Sequence, residues 1–245
     1  MNTILIASGK GGTGKTTLSA VLSMALAERG RRVLAVDGDC GLRSLDLALG
    51  MSDRLVFSFA DVAAGTVSLS RAAVPHPLNE KLSLLTAPAD IPFLRVKQLR
   101  ALREAAAAES YDYLIWDGPA GLPGELSLYS AIAGRSIIVT TPETACIRSA
   151  ERTARYLEEA GLHNVHLVVN RIRPALIRHG LAGNIDDVMD QAGLPLLGII
   201  PEDEDIIACS NNGKSLLHFK KDGAALAARN IARRLEGESV PAMRW

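Results

Sequence analysis

A glycine-rich segment near the start of the chain carries the residue types of a phosphate-binding loop. Residues 9–16 read GKGGTGKT and fit the pattern G-x-x-x-x-G-K-[ST]. The glycines let successive backbone N–H groups point at a polyphosphate, and the helix predicted to follow presents its positive end to the same group. In such a loop Lys15 contacts the β- and γ-phosphates, and the Thr16 hydroxyl ligates Mg²⁺. The residues expected to bind nucleotide here are Gly11, Gly12, Thr13, Gly14, Lys15, Thr16 and Thr17.

The same loop contains a second lysine, Lys10, which a simple phosphate loop does not need. One interpretation is a loosely held surface cation. The other is that Lys10 serves a phosphate bound by a second subunit, and we favour it because the residue lies so close to a phosphate site. The second interpretation predicts that the chain acts as a dimer.

An acidic residue, Asp117, directly follows the apolar run at 113–116. A buried strand of a parallel sheet ends at the carboxyl edge, which is where ligands bind. We therefore expect Asp117 to hold Mg²⁺, through water as is usual in sites of this kind. A plain strand-ending turn is the alternative. The next residues are expected to form a mobile switch that responds to the γ-phosphate. They are Gly118, Pro119, Ala120 and Gly121.

Short apolar runs alternate with helical patterns along the chain, which is typical of an α/β protein. Strands are predicted at 3–8, 32–37, 82–86, 113–117, 136–140, 166–170 and 196–200, and helices at 16–29, 94–109, 148–160, 185–191 and 224–235. This alternation predicts a doubly wound, mainly parallel sheet with helices on both faces, the architecture of a P-loop NTPase. The expected organisation is a single domain over 1–245 with a short C-terminal tail at 236–245.

Several segments together resemble the MinD/ParA family of ATPases, whose phosphate loop is a deviant Walker A motif. They are KGGTGKTT at 10–17, VDGDCGLRSLDL at 36–47, DGPAG at 117–121, PE at 142–143, VVNR at 168–171 and IPED at 200–203. The resemblance covers nearly the whole chain. It implies a slow ATPase that uses ATP and Mg²⁺ and forms a homodimer around ATP. In that dimer Lys10 reaches the partner's nucleotide, like an arginine finger supplied in trans.

The resemblance also implies roles for two acidic residues after the second strand. Asp39 is expected to position or activate the attacking water within the magnesium shell. A carboxylate on a strand-end loop beside phosphates suits that task. Asp37 is expected to support the switch or the magnesium shell. For Asp39 a helix N-cap is the alternative, and a structural role is likewise open for Asp37.

On the adenine side the resemblance points to Asn170 and Arg171, and to backbone groups of Pro201, Glu202 and Asp203. The amide of Asn170 offers the base both a donor and an acceptor. A turn-forming role is the alternative for these residues.

The composition narrows the range of functions. Lys+Arg and Asp+Glu both count 27, so a generally basic, nucleic-acid-coating surface is not expected. The cysteines, Cys40, Cys146 and Cys209, form no C-x-C or C-x-x-C pair, which argues against zinc or iron–sulfur ligation. His163 and His166 are expected to pack rather than bind metal. No apolar run suits a signal peptide or a spanning helix, which predicts a cytoplasmic protein.

Control of spatial positioning, in particular placement of the division site, is the use that the segment at 36–47 favours. The membrane-binding form of such a switch needs an amphipathic C-terminal helix. Here Pro241 interrupts the short tail, and only Met243, Arg244 and Trp245 suit a lipid interface. A peripheral place at the inner face of the cell membrane is thus a weaker expectation. Recruitment by an unknown stimulating protein partner is the alternative to it.

Two further uses stay open. A ParA-type partition protein binds DNA nonspecifically through a basic patch, for which Arg229, Arg233 and Arg234 are candidates. A solvated helix face is the simpler explanation for them. Metallocofactor assembly is disfavoured because paired cysteines are missing.

Residues that could join an ATP-dependent interface are Arg43, Arg148 and Glu151, although a solvated helix face explains the latter two almost as well.

Overall fold

The protein is built on one eight-stranded sheet, as described by a computed structural model. The model describes residues 1–40, 42–51, 56–90, 92–121, 124–179, 184–212 and 214–241. The strands are β1 (Asn2–Ser8), β2 (Val33–Asp37), β3 (Val74–His76), β4 (Asn79–Leu85), β5 (Tyr113–Ala120), β6 (Arg135–Thr140), β7 (Val165–Ile172) and β8 (Leu196–Pro201). Their order across the sheet is β3-β4-β2-β5-β1-β6-β7-β8. Only β3 runs antiparallel to its neighbour, so the predicted mainly parallel sheet is confirmed.

Twelve helices connect or flank the strands in the described part of the chain. They are α1 (Lys15–Glu28), α2 (Leu45–Leu49), α3 (Phe59–Ala64), α4 (Leu69–Ala72), α5 (Val96–Ala108), α6 (Glu125–Ser130), α7 (Thr144–Glu159), α8 (Pro174–Arg178), α9 (Ile185–Ala192), α10 (Glu204–Asn211), α11 (Leu216–Phe219) and α12 (Gly223–Leu235). The C-capping glycines of three predicted helices, Gly30, Gly161 and Gly193, all have the positive φ that such caps need.

Helices cover both faces of the sheet, as the apolar runs in its strands predict. Successive side chains of a strand point to opposite faces. Ile4 and Ile6 of β1 therefore pack into a core with α1, α2, α11 and α12. Leu5 and Ala7 pack into the second core, under α3 to α7 and α9. Because helices cover both faces, the central strands contain runs of buried apolar residues, such as 4–7 in β1 and 33–36 in β2.

Two boundaries differ from the sequence prediction in ways that affect the site. Strand β5 runs on to Ala120 rather than ending at Asp117, so three residues of the segment predicted as a switch lie in the strand, and Ala120 is paired with Ser8 of β1. A register shift between Ile6 and Ser8 marks where that pairing becomes irregular. Helix α7 begins at Thr144 instead of Arg148, and Ser149 in its second turn packs against Gly9 of the phosphate loop.

Candidate nucleotide-binding site

The phosphate loop, residues 9–16, connects β1 to α1 at the carboxyl edge of the sheet. Gly12 and Gly14 have φ angles of 81° and 93°, which favour glycine. A side chain on Gly14 would also place its Cβ 2.1 Å from the amide nitrogen of Asn170. A Cβ on Gly9 would lie 2.2 Å from the carbonyl oxygen of Ser149 in α7. Gly12 and Gly14 are therefore required by a left-handed backbone, and Gly9 and Gly14 by close packing.

Three side chains from the loop and the first turn of α1 converge on Asp117. Lys15 Nζ lies 3.1 Å from Asp117 Oδ1, and Thr16 Oγ1 donates a 2.7 Å hydrogen bond to Oδ2. Ser19, one turn further along α1, donates a 2.8 Å bond to Oδ1. Ser19 is not among the site residues predicted from the sequence. Its polar side chain within an Ala/Leu-rich helical face, four positions after Lys15, was the available signal.

Asp117, which these three side chains contact, is completely buried. Its burial raises the pKa of the carboxyl group, and the charge of Lys15 and the hydrogen bonds from Thr16 and Ser19 act in the opposite direction. A bound cation would favour the charged form still further. Asp117 is therefore a buried carboxyl group with a raised pKa beside a lysine. It lies where the sequence predicts magnesium.

Asp39 faces the same lysine from the other side. Its Oδ2 lies 3.5 Å from Lys15 Nζ, and the residue is largely buried. This position suits a group that acts on water beside the γ-phosphate. The N-cap alternative has no support here, because α2 has Ser44 at its N-cap position.

Asp37 has no exposed surface and braces the loop that carries Asp39. Its Oδ1 accepts a 3.1 Å hydrogen bond from the Asp39 N–H, and its Oδ2 accepts a bond of equal length from the Leu45 N–H. Burial and the neighbouring charge of Asp117 raise the pKa of Asp37 to about 7, against the effect of these two bonds. The contacts favour the supporting role. Direct magnesium binding by Asp37 stays a prediction.

The residues present fit a magnesium–nucleotide group. Thr16 Oγ1 and Asp117 Oδ2 are adjacent hard oxygen donors. No cluster of three or more His, Cys, Asp or Glu side chains suited to a metal occurs in the described residues. Mg²⁺ commonly binds one or two protein groups and completes its shell with phosphates and water. In the loop, the buried Thr13 Oγ1 has no hydrogen-bond partner within the described structure, so a polar ligand could satisfy it.

Lys10 differs from Lys15 in its surroundings. Lys15 is buried, whereas Lys10 is exposed. The Lys10 backbone carbonyl accepts a 3.1 Å hydrogen bond from Ser8 Oγ, which fixes the main chain at this point. Lys10 takes part in no ion pair with the residues that the structure describes. A free cation on an anchored backbone is the geometry that action on a second subunit needs.

On the predicted adenine side, Asn170 is buried beside the loop. Its Nδ2 donates a 2.8 Å hydrogen bond to the carbonyl oxygen of Thr13. Asn170 therefore braces the phosphate loop, a role that the sequence did not reveal. Arg171 is exposed and has a positive φ of 57°. Contacts of either residue with the base stay predictions.

The other adenine-side segment follows β8. Glu202 forms an ion pair with Arg173, and its N–H donates a 3.0 Å bond to the Ile172 carbonyl. The Asp203 carboxylate accepts 3.1 Å bonds from the N–H groups of Asp205 and Ala224. It thereby caps the starts of α10 and α12. These bonds fix the backbone after Pro201, whose contact with the base also stays a prediction.

The residues proposed for an ATP-dependent interface differ in their contacts. Arg148 is exposed close to the loop, since its neighbour Ser149 touches Gly9. Glu151 forms a 3.2 Å ion pair with Arg155 on the same helix, which favours a solvated helix face. Arg43 contacts Thr86 Oγ1 at 3.4 Å.

The three arginines of α12 are engaged within the chain. Arg229 pairs with Glu28, and Arg233 pairs with Glu238. Arg234 donates to the carbonyl oxygens of Leu197, Val240 and Pro241. Their charges are thus partly compensated, which weakens the case for a DNA-binding patch.

The last four residues, on which the lipid-interface prediction rests, lie outside the described residues. No helix in the described part of the chain combines the length and apolar character that crossing a bilayer requires.

The chain has a phosphate loop between the first strand and the first helix of a doubly wound sheet, and an acid on the adjacent strand. These features define the class of P-loop nucleotide-binding proteins. Residues 4–217 match the CobQ/CobB/MinD/ParA nucleotide-binding domain model. The chain belongs to this family.

Individual relatives agree with that assignment. The septum site-determining protein MinD of Synechocystis sp. is 39% identical over 241 residues, covering 97% of this chain and 90% of the relative. The MinC:MinD cell division protein complex of Aquifex aeolicus contains a chain that superimposes with a TM-score of 0.93 at 35% identity, covering 100% of this chain and 99% of that one. MinD of Pyrococcus horikoshii in complex with Mg-ADP gives a TM-score of 0.83 at 32% identity, with 96% of each chain covered.

Proposed function

We propose that this chain is a single-domain, magnesium-dependent ATPase of the MinD type, which dimerises around ATP and acts as a switch for spatial positioning. The observation that carries the proposal is the contrast between its two loop lysines. Lys15 is buried against Asp117 and Asp39, whereas Lys10 is exposed on an anchored backbone. One lysine is thus placed for the chain's own phosphates, and the other can reach a second molecule.

In the proposed reaction the loop binds the phosphates of ATP through its N–H groups, and Lys15 moves from the carboxylates onto the phosphates. Thr16 and Asp117 would hold Mg²⁺, which when bound offsets charge that develops on the γ-phosphate. Asp39 orients the attacking water. Lys10 from a second copy completes the positive charge around the same group. Hydrolysis therefore depends on dimerisation, and loss of the γ-phosphate removes the bias towards the dimer.

Its partners follow from the same comparison. The Aquifex aeolicus relative occurs in a complex with MinC. We propose a protein partner of that kind as recruiter or stimulator, and placement of the division site as the process served. Attachment to the inner face of a membrane through the end of the tail is part of the proposal only in second place. Nonspecific DNA binding is less favoured, because the α12 arginines are engaged within the chain.

A variant trapped as the ATP dimer would test these recruitment modes together. Asp39→Ala should bind Mg-ATP without hydrolysing it, and it should elute as a dimer in size-exclusion chromatography. The trapped variant is then sedimented with anionic liposomes and, separately, with duplex DNA. Asp190→Ala, on an exposed position of α9, is the matched control.

The outcomes separate the alternatives. Sedimentation with liposomes alone supports membrane attachment, and sedimentation with DNA alone supports a partition protein. Absence from both pellets supports recruitment by protein. An Asp39→Ala protein that stays monomeric with Mg-ATP counts against the proposed dimer itself.

A further inference from the structure

The two peptides that join Asp37 to Asp39 are hydrogen-bonded to two separate elements. Gly38 lies between Asp37 and Asp39, and its carbonyl oxygen accepts a 3.1 Å hydrogen bond from the Tyr129 hydroxyl. The Gly38 N–H donates a 2.9 Å bond to the carbonyl oxygen of Asp117. The Asp37–Gly38 peptide is therefore held from β5, and the Gly38–Asp39 peptide, which leads into Asp39, is held from α6.

Tyr129 belongs to the helix that follows the predicted switch segment at 118–121. Helix α6 begins at Glu125, and Tyr129 is buried on its inner side, with only 3% of its surface exposed. Only a few residues of sequence therefore separate the predicted switch segment at 118–121 from Tyr129. The Tyr129 side chain in turn holds the loop that carries Asp39. A displacement of α6 would reach the loop that carries Asp39 through the hydrogen bond from Tyr129 to Gly38.

The ring of Tyr129 is held in place by an aromatic cluster formed by Phe59, Trp116 and Tyr129. The ring centroids are 5.2 Å apart for Phe59 and Trp116, 4.8 Å for Trp116 and Tyr129, and 6.4 Å for Phe59 and Tyr129. Trp116 directly precedes Asp117. A Cβ on Gly38 would lie 2.3 Å from the Trp116 indole nitrogen, so the loop packs tightly on the cluster. The rings therefore fix where the Tyr129 hydroxyl can point.

Packing alone does not explain a tyrosine at this position. Phenylalanine would fill the same space, and burying a hydroxyl is unfavourable unless it is hydrogen-bonded. The hydroxyl reaches the carbonyl that connects Asp37 and Asp39, rather than a structural turn elsewhere in the core.

We propose that Tyr129 is a positioning residue for ATP hydrolysis, whose hydroxyl orients the Gly38 carbonyl and thereby links the switch segment at 118–121 to Asp39. The inference rests on the proposed function, because it assumes that Asp39 acts on the attacking water. Tyr129 itself touches neither nucleotide nor metal in this account. Its contribution is the orientation of Asp39 at the moment of reaction.

Tyr129→Phe tests the proposal because it removes the hydroxyl and keeps the ring. We expect kcat to fall roughly 10-fold, as a small misplacement of a reacting group does, while the Kd for Mg-ATP and ATP-dependent dimerisation stay as in wild type. The thermal midpoint should move by only a few degrees, on the order of one lost hydrogen bond. Tyr111→Phe, at a buried position two residues before the start of β5, is the control and should keep wild-type kcat.

A second readout follows the coupling directly. In a Trp245→Phe background Trp116 is the remaining tryptophan, and its emission should change when Mg-ATP binds. Adding Tyr129→Phe should reduce that change. A wild-type kcat and an unaltered Trp116 response in Tyr129→Phe would overturn the proposal. If Asp39→Ala still abolishes turnover in the same assays, the proposed function survives that result. If the wild-type dimer does not hydrolyse ATP, the proposed function fails instead.

Discussion

Thr16 Oγ1 donates a 2.7 Å hydrogen bond to Asp117 Oδ2, joining the first turn after the phosphate loop to the neighbouring strand. The two oxygens are a hydroxyl and a carboxylate, the donors that magnesium uses beside phosphates. Lys15 contacts the other oxygen of the same carboxylate. On nucleotide binding, phosphate would replace Asp117 as the partner of Lys15, and the metal would replace the direct bond between Thr16 and Asp117.

Thr16→Ala should weaken binding of Mg-ATP far more than binding of ATP without metal. The change removes the hydroxyl and leaves the loop backbone intact. We expect the Kd for Mg-ATP to rise roughly 10-fold or more, which corresponds to loss of a charge-assisted contact. Isothermal titration calorimetry with and without Mg²⁺ measures the difference. Thr16→Ser keeps the hydroxyl and should bind as wild type does; equal weakening in both variants would argue against ligation by Thr16.

Asp37 predicts a pH dependence of stability. Its pKa is raised to about 7 in the folded chain, chiefly by burial and then by Asp117. Between pH 4 and 7 the folded state therefore holds a proton that the unfolded chain has released, given an ordinary pKa of about 4. The contribution of Asp37 to stability consequently falls as the pH rises through this window. The raised pKa of Asp117 acts with the same sign.

Denaturation at a series of pH values checks this in paired proteins. Asp37→Asn cannot titrate and keeps one oxygen that can accept a backbone bond. Its stability relative to wild type should increase between pH 4 and 7 by an amount on the order of 3 kcal/mol. Asp190→Asn, at an exposed position, should show a constant difference from wild type. A pH-independent difference for Asp37→Asn would contradict the raised pKa.

Asn170→Asp should impair nucleotide binding through the loop rather than through the base. The substitution puts a carboxylate oxygen where Nδ2 now donates 2.8 Å to the Thr13 carbonyl. Two acceptors would then face each other in a buried position, which costs about 1–3 kcal/mol. We expect at least a 5-fold loss of affinity for ATP and for tripolyphosphate alike, measured by competition. A loss confined to ATP would instead assign Asn170 purely to the adenine.

Much of the site could be predicted because its chemistry is local in sequence. Lys15 and Thr16 lie in one short motif, and Asp117 ends a strongly apolar run, so strand and loop patterns suffice to bring them together. Ser19 was not predicted because it lies outside the motif, where a polar residue in an apolar helical face is its only signal. Tyr129 was not predicted because its hydrogen bond to Gly38 depends on the tertiary fold, and no local pattern indicates it. Strand β3, Val74–His76, was missed because it is very short and contains a proline, and only its pairing with β4 defines it.

Lys10→Ala bears most directly on action across a dimer. It should retain much of the ATP binding and lose hydrolysis that depends on dimerisation, since Lys15 still serves the chain's own phosphates. Asp39→Ala should also lose turnover, because it lacks the group that orients water. The two variants are defective in different halves of the same composite site, so mixed dimers can distinguish action in cis from action in trans.

The decisive measurement is the ATPase rate of a one-to-one mixture of Lys10→Ala and Asp39→Ala, combined without nucleotide before Mg-ATP is added. In a mixed dimer the Lys10→Ala subunit keeps its own Asp39 and receives Lys10 from its partner, so one site is complete. The account predicts recovery of about a quarter of the wild-type rate, since half of randomly paired dimers are mixed and each has one working site. A mixture that stays as inactive as the separate variants would contradict it.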